Sequence, residues 1–367
     1  MTTLSADESN DLAKSIRAVC ERLATEQRVR EIAFEQGGFD AELWKTLCTD
    51  IGVTAIALPE RLGGTALGAT ALGSVAHELG RTLAPVPFVS SAVLATGLLL
   101  DLGDDARVAA LADSSLTAAA VITRDGGAWL PGAVAVRARR RGAWILDGIA
   151  RHVLGAAAAD ELVVVATTDD VPAIFTVDSH SDGVTIEPER VLDATRPTAT
   201  VRLEGAVGSS LTGSRPAGDV ISDNVRRATA VLTAEQVGAH ERVLEIATEY
   251  ARTRTQFGRA IGSFQAVKHR CADILVDLEW ARSASLAALQ AVDADSPDAG
   301  WLTSLAKAVC SEGLRDASHA NLQIHGGVRF TWEHSAHLYL KRARTDEVLF
   351  GGPAMHWDRI AGAAKLV

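Results

Sequence analysis

The hydrophobic periodicity of the chain changes twice, and these changes restrict the folds that it can adopt. From residue 5 to about 110, apolar residues recur at three- and four-residue spacing, which indicates amphipathic helices. From about 115 to 206, short β-rich runs alternate with turn residues, and from about 217 onward the helical spacing returns. The sequence therefore predicts an α+β architecture in which a β-domain lies between two helical domains.

We divide the chain into an N-terminal all-α domain (1–112), a middle β-domain (113–210) and a C-terminal helical bundle (211–367). The β-rich runs of the middle domain are 118–123, 143–146, 162–167, 173–177 and 198–203. Their short lengths and the turn residues between them are typical of a small antiparallel β-domain. The three arginines at 139–141 are predicted to lie at a hairpin tip, where charged side chains are solvated.

The C-terminal part contains three long helical segments. The first ends near Arg254, the second covers about 263–294, and the third covers about 298–321. Shorter helices are expected after Trp332 and after Pro353. Long helices joined by short connections are typical of a four-helix bundle, which is the fold that we expect here.

Composition and charge exclude several classes of protein. Hydrophobic residues make up 47% of the 367 residues and the net charge is -10, so there is no basic surplus for a nucleic-acid partner. The four cysteines lack metal-ligand spacing, which favours buried thiols in a reducing compartment. The polar N-terminus does not look like a signal peptide, and the apolar stretch 89–100 is too short to span a bilayer. We expect a cytoplasmic protein without a bound metal.

The segment 252–265, RTRTQFGRAIGSFQ, is the first candidate binding motif. Arg254 stands near the end of the long helix, where a permanently charged guanidinium can bind a pyrophosphate. Gln256 and Phe257 follow, Gly258 is predicted to break the helix, and Gln265 comes early in the next helix. This spacing indicates a ligand-binding connection between two helices.

The segment 323–327, QIHGG, is the second candidate motif. Gly326 and Gly327 lack side chains, so their backbone amides can approach a phosphate closely. Gln323 offers both a hydrogen-bond donor and an acceptor. The motif follows a helical segment that contains Lys307.

Together these two segments resemble the flavin-binding signatures of the acyl-CoA dehydrogenase family, and the order of the three domains is also the order in that family. In that family, FAD lies across a dimer interface, with its ring against the β-domain of one subunit and its pyrophosphate and adenine on the bundle of the other. The resemblance implies that the following residues bind the FAD of a neighbouring subunit: Arg254, Gln256, Phe257, Gln265, Gln323, Gly326 and Gly327. The bulky Arg329 departs from the family pattern, in which that position is often small.

The other half of the family's active site is missing from the sequence. The segment 122–127 (ITRDGG) lacks the residues that hold the flavin ring in the family, and so does the segment 148–153. The catalytic glutamate of the family is replaced by Gly351, and the alternative position for that base lies near Ala228. We therefore assign no catalytic residue in this chain.

Three hypotheses follow from the resemblance. In the first, the chain is a non-catalytic or half-site subunit of a heteromeric FAD-dependent acyl-CoA dehydrogenase, paired in a two-plus-two heterotetramer with a subunit that carries the base. The second is a homo-oligomeric enzyme with a relocated carboxylate such as Asp223, Glu333, Asp346 or Glu347. The third is a non-enzymatic acyl-CoA- or protein-binding homologue.

The segments TWEHSAHLYLKRA and LFGG resemble the base-lacking subunit of heterotetrameric dehydrogenases in actinobacterial steroid and cholesterol side-chain degradation. That resemblance implies a bulky acyl-CoA substrate, such as a steroid side-chain thioester. It also implies an electron-transferring flavoprotein as the electron acceptor.

Overall fold

The computed structural model describes residues 6–326 and 335–365, and it begins with a group of helices. These are α1 (Ala6–Leu23), α2 (Glu26–Glu35), α3 (Ala41–Thr46), α4 (Ala69–Thr82), α5 (Thr96–Asp101) and α6 (Asp105–Ala112). Short polar residues begin several of them: the Asp40 carboxylate accepts the backbone N–H of Leu43 at the start of α3, and Thr25 accepts that of Arg28 in α2. The segment 88–101 is helical and almost completely buried, as its apolar sequence predicts.

The middle of the chain forms strands β1 (Ala118–Val121), β2 (Val136–Arg141), β3 (Ala143–Leu154), β4 (Glu161–Thr168), β5 (Val171–Asp178), β6 (Val184–Pro188) and β7 (Thr198–Leu211). The pairs β2–β3, β3–β7, β5–β7, β4–β5 and β6–β7 are antiparallel, whereas β1–β4 and β2–β4 are parallel. Antiparallel pairing therefore dominates, as predicted, but the sheet is mixed. Because β4 pairs with both β2 and β5, the ladder closes into a small barrel around its own apolar core.

One prediction about the barrel was wrong. The arginines at 139–141 do not lie in a turn, because they form the second half of β2, and the turn is the single Gly142 that follows. The reason is that β2 buries Val136 and Ala138 on its inner face and exposes Arg137, Arg139 and Arg141 on the outer face. The strand was not predicted because its exposed positions are charged. The alternation of buried and exposed residues becomes clear only once the buried positions are known.

The C-terminal part contains α7 (Ala217–Thr253), the short strands β8 (Thr255–Gln256) and β9 (Arg259–Ala260), α8 (Gln265–Asp293), α9 (Ala299–His325), α10 (Ala336–Val348) and α11 (Pro353–Ala363). Helices α7, α8 and α9 pack side by side, and α10 and α11 cover α9. This is the predicted bundle, with one short helix more than four. The division at 112 and 210 stays our interpretation of the chain.

Helices α4 and α7 touch through their backbones, which joins the first helical group to the bundle. A Cβ atom at Gly80 would overlap the carbonyl oxygen of Glu235, and a Cβ atom at Gly238 would overlap that of His77. Glycine at both positions lets the two helices approach more closely than larger residues would permit. No helix in the described part of the chain is both long enough and apolar enough to cross a membrane.

A buried ionic cluster connects the barrel to the bundle. Arg342 of α10 donates to Asp193 at 2.6 Å and to Glu235 of α7 at 2.6 Å, and it is fully buried. Arg196 also binds Glu235, and its guanidinium lies 3.0 Å from Asp346. Because each buried charge has an opposite charge beside it, the cluster fixes α10 relative to both neighbours.

Candidate functional site

The first binding motif forms a β-hairpin that projects from the end of the bundle. Helix α7 ends at Thr253, one residue before Arg254, so the helix does not continue to Gly258 as the sequence suggested. Strands β8 and β9 pair across Phe257 and Gly258, whose φ angles are 52° and 75°. A two-residue turn with two positive φ angles is the type I′ turn that suits a tight hairpin. This turn places the Phe257 side chain in solvent, with 90% of its surface exposed.

Contacts at its base hold the hairpin in one orientation. The backbone N–H of Ile261 donates to the carbonyl of Arg254 at 2.8 Å. The Arg259 guanidinium lies 4.1 Å from the centre of the Phe264 ring, and the Phe257 ring meets Phe264 edge-on at 6.1 Å. The hairpin is therefore a preformed element that displays an aromatic ring beside several arginines.

The second binding motif lies at the same end of the bundle. The Tyr250 ring at the end of α7 stacks on the His325 ring at the end of α9, with 4.1 Å between their centres. Gln323 is exposed on the last turn of α9, and Gly326 ends that helix with a φ of 60°. The stacked pair brings both motifs to one surface. Gly327, Arg329 and Glu333 lie outside the described residues.

The described members of the predicted set are all exposed: Arg254, Gln256, Phe257, Gln265, Gln323 and Gly326. Gln265 is the first residue of α8, and its amide lies 2.9 Å from Nε2 of His269. None of these residues lines any of the three main cavities of the described chain. We call this exposed group the surface clamp, because it is the set for which the family resemblance implies FAD contacts.

The segment 122–127 packs tightly against the end of β3. The backbone N–H of Arg151 donates to the carbonyl of Arg124 at 2.8 Å, and Arg124 donates to Ala133 at 2.8 Å. The void left between this segment, β3 and α7 has a volume of about 30 Å³, with Thr123, Trp129 and Phe350 among its lining residues. That volume holds a water or two and is far too small for a three-ring flavin.

The turn after α10 contains Gly351, the position at which the family resemblance implies a base. Gly351 is buried there with a φ of 106°, next to Phe350, whose φ is 58°. A fully buried ammonium holds the turn, because Lys307 Nζ donates to the carbonyls of Asp346 (2.9 Å), Glu347 (3.1 Å) and Gly351 (3.2 Å). Burial lowers the pKa of Lys307 to about 8. The turn thus keeps its shape without any carboxylate at position 351.

The described carboxylates that we considered as replacements for the missing base form ion pairs with arginines. Asp346 belongs to the buried ionic cluster, and burial raises its pKa to about 7. Glu347 pairs with Arg315 and Arg344, and Asp223 pairs with Arg215 and Arg226. The alternative position at Ala228 is completely buried on α7 and carries only a methyl group.

A larger cavity opens between the N-terminal parts of α7 and α9 and helix α11, and we call it the α7–α9–α11 cavity. It has a volume of about 310 Å³. Its lining residues are Trp129, Ser222, Val225, Arg226, Thr229, Gly300, Trp301, Thr303, Ser304, Phe350, His356, Arg359 and Ala363. Within the described residues its lining contains two arginines and no carboxylate.

Comparison with known proteins identifies this arrangement. Residues 6–111 match the model for "Acyl-CoA dehydrogenase, N-terminal domain", and residues 219–365 match the model for "Acyl-CoA dehydrogenase, C-terminal domain". The chain belongs to the acyl-CoA dehydrogenase family. It is 33% identical to acyl-CoA dehydrogenase IpdE2 of Mycobacterium tuberculosis over 350 residues, which cover 95% of this chain and 94% of IpdE2. It is 31% identical to acyl-CoA dehydrogenase FadE27 of the same species, over 98% of both chains.

Two similar solved structures extend the comparison. A chain of the ChsE4-ChsE5 complex from Mycobacterium tuberculosis matches with a TM-score of 0.89 and 28% identity over the whole of both chains. A chain of the Tcur3481-Tcur3483 steroid ACAD variant matches with a TM-score of 0.88 and 26% identity over 98% of both. The predicted fold and the predicted family are therefore confirmed.

Family membership indicates FAD as the cofactor, as predicted. The residues of this chain fit one part of that cofactor and not the other. The surface clamp offers a guanidinium, amide groups and an exposed ring, which suit a pyrophosphate with flanking aromatic groups. The 30 Å³ void beside 122–127 does not fit the flavin ring.

Several residues of these sites were not found by sequence reasoning. The stacked rings of Tyr250 and His325 join the two motifs, and because the residues are far apart in the sequence, nothing in the sequence indicated their contact. His269 lies one helical turn after Gln265, so helical spacing on α8 would have pointed to it. The lining of the α7–α9–α11 cavity comes from distant segments, and only the fold brings Thr303, His356 and Arg359 together.

Proposed function

We propose that the chain is the base-lacking subunit of a heteromeric FAD-dependent acyl-CoA dehydrogenase, and that it supplies FAD contacts to a partner subunit that carries the catalytic glutamate. The observation that carries this proposal is the contrast between the two halves of the site. The clamp around Arg254 and Phe257 is exposed, whereas the void beside 122–127 has a volume of only about 30 Å³ and Gly351 offers no carboxylate. In this proposal, the chain contributes contacts to the FAD of a partner subunit but does not bind the ring of a flavin in its own half-site.

Each described clamp residue has a definite task in this proposal. Arg254 binds the pyrophosphate by charge-assisted hydrogen bonds, and Phe257 covers an aromatic part of the cofactor. Gln256, Gln265 and Gln323 donate to its oxygen atoms, and Gly326 leaves room for the same group. When bound, FAD supplies a hydride acceptor for the oxidation of the acyl thioester. This chain's residues hold and orient that group and move no proton.

The exposed face of α8 supports a protein partner. Leu275, Val276, Trp280 and Leu286 are between 46% and 69% exposed. Leu275 and Leu286 are about three helical turns apart and Val276 and Trp280 about one turn apart, so the four cover two adjoining stripes of the helix, an arc of about 140°. A large apolar surface of this kind on a soluble protein is typical of an interface. It belongs to the same helix as Gln265, so a partner on this face would reach the clamp.

The substrate in this proposal is a bulky acyl-CoA such as a steroid side-chain thioester, and an electron-transferring flavoprotein accepts the electrons. Support comes from the relatives, since one similar solved structure is described as a steroid ACAD and another as a complex of two different chains. Asp223, Asp346 and Glu347 of the homo-oligomer hypothesis form ion pairs, and none of these three lines the α7–α9–α11 cavity.

The test is the visible absorbance of the purified chain, alone and co-expressed with a base-carrying homologue from the same genome. We expect a colourless single chain and a yellow complex with one FAD per unlike pair. Arg254→Ala should weaken FAD binding of the complex by at least tenfold, since a charge-assisted contact contributes about 2 kcal/mol. Arg137→Ala on the outer face of β2 is the matched control and should leave FAD content unchanged.

Two results would contradict the proposal. A yellow single chain that dehydrogenates an acyl-CoA would establish an independent enzyme with a relocated base. A complex that keeps its full FAD content after both Arg254→Ala and Gln323→Ala would favour the non-enzymatic binding hypothesis.

A further inference from the structure

The buried ionic cluster between the barrel and the bundle contains one more carboxylate than guanidinium. Its anionic members are Asp193, Glu235 and Asp346, and its cationic members are Arg196 and Arg342. None of the five is more than 7% exposed, so solvent does not compensate their charges. A buried carboxylate that lacks sufficient partners is costly in its charged form and takes up a proton instead.

Two of the three carboxylates accept several hydrogen bonds. Asp193 accepts from Arg342 Nε at 2.6 Å, and from the backbone N–H and the hydroxyl group of Thr195 at 2.9 Å and 2.6 Å. Glu235 accepts from Arg342 Nη1 at 2.6 Å and from Arg196. The third nitrogen of Arg342 donates to the carbonyl and the hydroxyl oxygen of Thr195. Each nitrogen of this guanidinium therefore has a partner within the two satisfied groups.

Asp346 is the carboxylate that this arrangement leaves over. It is completely buried, and neither of its carboxyl oxygens accepts a hydrogen bond from a described residue. Arg196 Nε lies 3.0 Å from Oδ1 of Asp346, but its N–H is not aligned for a hydrogen bond to that oxygen. A buried carboxylate is stable only with hydrogen-bond donors as well as a neighbouring charge, whereas burial of a neutral carboxyl costs much less. These contacts favour the protonated form of Asp346.

Lys307 is a further cation near Asp346, and it is engaged with the main chain. Its Nζ donates to the backbone carbonyl of Asp346 at 2.9 Å and forms no ion pair with the carboxylate of that residue. Its charge therefore acts on the carboxylate from beyond the distance of an ion pair. The described charged groups that face Asp346 are Arg342 on the same helix, Asp193 and Arg196 in the β6–β7 connection, Glu235 on α7 and Lys307 on α9.

We propose that Asp346 holds a proton below neutral pH, and that loss of this proton at higher pH weakens the contact of α10 with the barrel. Burial raises the pKa of Asp346 to about 7. Arg196 and Arg342 oppose this rise, whereas the negative charges of Glu235 and Asp193 add to it. Ionisation therefore gives the cluster a third negative charge for two guanidiniums. This inference does not depend on the proposed function.

Proton binding by Asp346 stabilises the folded chain on the acidic side of neutrality. The residue has its ordinary pKa of 3.8 in the unfolded chain and a pKa of about 7 in the folded chain. Its contribution is complete below about pH 3.8 and is lost progressively as the pH rises to about 7. Because α10 continues into the turn at Gly351, a weaker contact of α10 also affects the turn that Lys307 holds.

Infrared difference spectroscopy of the full-length chain tests the protonation directly, since a neutral carboxyl has a C=O stretch distinct from that of a carboxylate. We expect a band near pH 6 that disappears with a midpoint near pH 7 and is missing from Asp346→Asn. Glu235→Gln is the second variant, because it leaves two carboxylates for two guanidiniums. Asp346 should then ionise, and the band near pH 6 should vanish from this variant as well.

Urea unfolding at several pH values measures the effect on stability. Asp346→Asn cannot ionise, so its unfolding midpoint should rise relative to that of the unaltered chain between about pH 5.5 and about pH 8.5. Asp147→Asn is the matched control on the barrel. A hydrogen bond from Arg139 at 2.8 Å holds the pKa of Asp147 below its ordinary value, so this carboxylate stays charged throughout the range. The difference between Asp147→Asn and the unaltered chain should therefore be constant.

Circular dichroism establishes that each variant is folded. Absence of a protonated-carboxyl band from the unaltered chain near pH 6 would overturn the proposal, whether or not the variants fold. A band that persists in folded Asp346→Asn would contradict the assignment to this residue, and one that persists in folded Glu235→Gln would contradict its electrostatic cause. A difference between Asp346→Asn and the unaltered chain that does not change with pH would refute the weakening of the contact. These outcomes do not depend on FAD content, so failure here is separable from failure of the clamp proposal.

Discussion

At the residue scale, Gly351 shows why the loss of the base is not reversed by a single change. Its φ of 106° belongs to a region that side chains rarely adopt. A Cβ atom there would overlap the terminal methyl group of Met355 and lie 3.2 Å from Cβ of Ala128. A side chain there would strain the backbone, and the flexible end of Met355 would have to move to make room for it.

We therefore predict that Gly351→Glu destabilises the chain by about 1–3 kcal/mol and does not give the single chain dehydrogenase activity. The destabilisation is measured by denaturant unfolding, and the activity by dye reduction with an acyl-CoA. Gly351→Ala is the control that separates backbone strain from the added charge. Dye reduction by the single Gly351→Glu chain would show that its own half-site binds a flavin ring, contrary to our proposal.

The assignment of the clamp residues stays a prediction, and it could be made from sequence because the motif is local. Arg254, Gln256, Phe257 and Gln265 lie within twelve positions, and their pattern resembles a flavin-binding signature of the family. The hairpin around them could not be predicted, because it depends on a non-glycine residue, Phe257, at a positive φ. That conformation has no reliable signal in the sequence.

At the scale of elements, α4 and α7 are joined by a chain of charges that the sequence did not indicate. His77 of α4 lies 3.1 Å from both Glu78 and Glu241, and Arg81 donates to Glu241 at 2.8 Å. In the sequence, Glu241, Glu245 and Glu249 recur every four residues, a spacing that indicates only the polar face of a helix. Their partners lie about 160 positions away, so only the packing of α4 on α7 reveals the contacts.

This charge cluster gives the domain contact a pH dependence. Burial opposes protonation of His77, but its hydrogen bonds to Glu241 and Glu78 prevail, and its pKa is raised above the ordinary 6.5. The hydrogen bond from His77, against the effect of burial, lowers the pKa of Glu241 to about 2. The contribution of His77 is complete below pH 6.5 and is lost as the pH rises through its raised pKa. The contribution of Glu241 is present above about pH 4.5 and is lost as the pH falls toward 2.

We predict that His77→Gln lowers the free energy of unfolding by about 1 kcal/mol near pH 6 and by much less near pH 8.5. Arg17, Arg81 and Arg282 also contact these carboxylates, and they keep their charge throughout this range. The measurement is denaturant unfolding of both proteins at several pH values. A constant difference between them across the range would contradict the assignment of the proton to His77.

The elements that sequence reasoning missed have physical explanations. β2 was missed because its outward positions are arginines, and β6 because it is short and only partly buried. The parallel pairing of β4 with β1 and β2 depends on the three-dimensional arrangement of the barrel. The separate β-rich runs of the sequence do not indicate which strands pair. By contrast, α7 to α9 were predicted well, since each has many turns of consistent spacing.

At the scale of the whole molecule, the exposed side of α8 is the feature that a single chain leaves unexplained. We predict that Trp280→Arg prevents pairing with the base-carrying chain while changing the stability of the single chain by less than about 0.5 kcal/mol. Light scattering measures the assembly, and absorbance of the same sample measures FAD. Val171→Arg, an exposed apolar position on the barrel, is the control and should assemble normally. Assembly of the Trp280→Arg chain at normal affinity would move the interface to another face.

The hydrogen bonds from Lys307 to the turn after α10 suggest how a subunit without a base could evolve. Its ammonium binds carbonyl oxygens of the main chain, which every amino acid provides in the same form. Replacement of an acidic residue in that turn would therefore have preserved the backbone structure of the turn. An ancestor could lose its catalytic activity in one substitution and still fold. After a gene duplication, one copy could keep the catalytic residue. The other copy would then be constrained, in our proposal, mainly by the residues that contact the partner's cofactor.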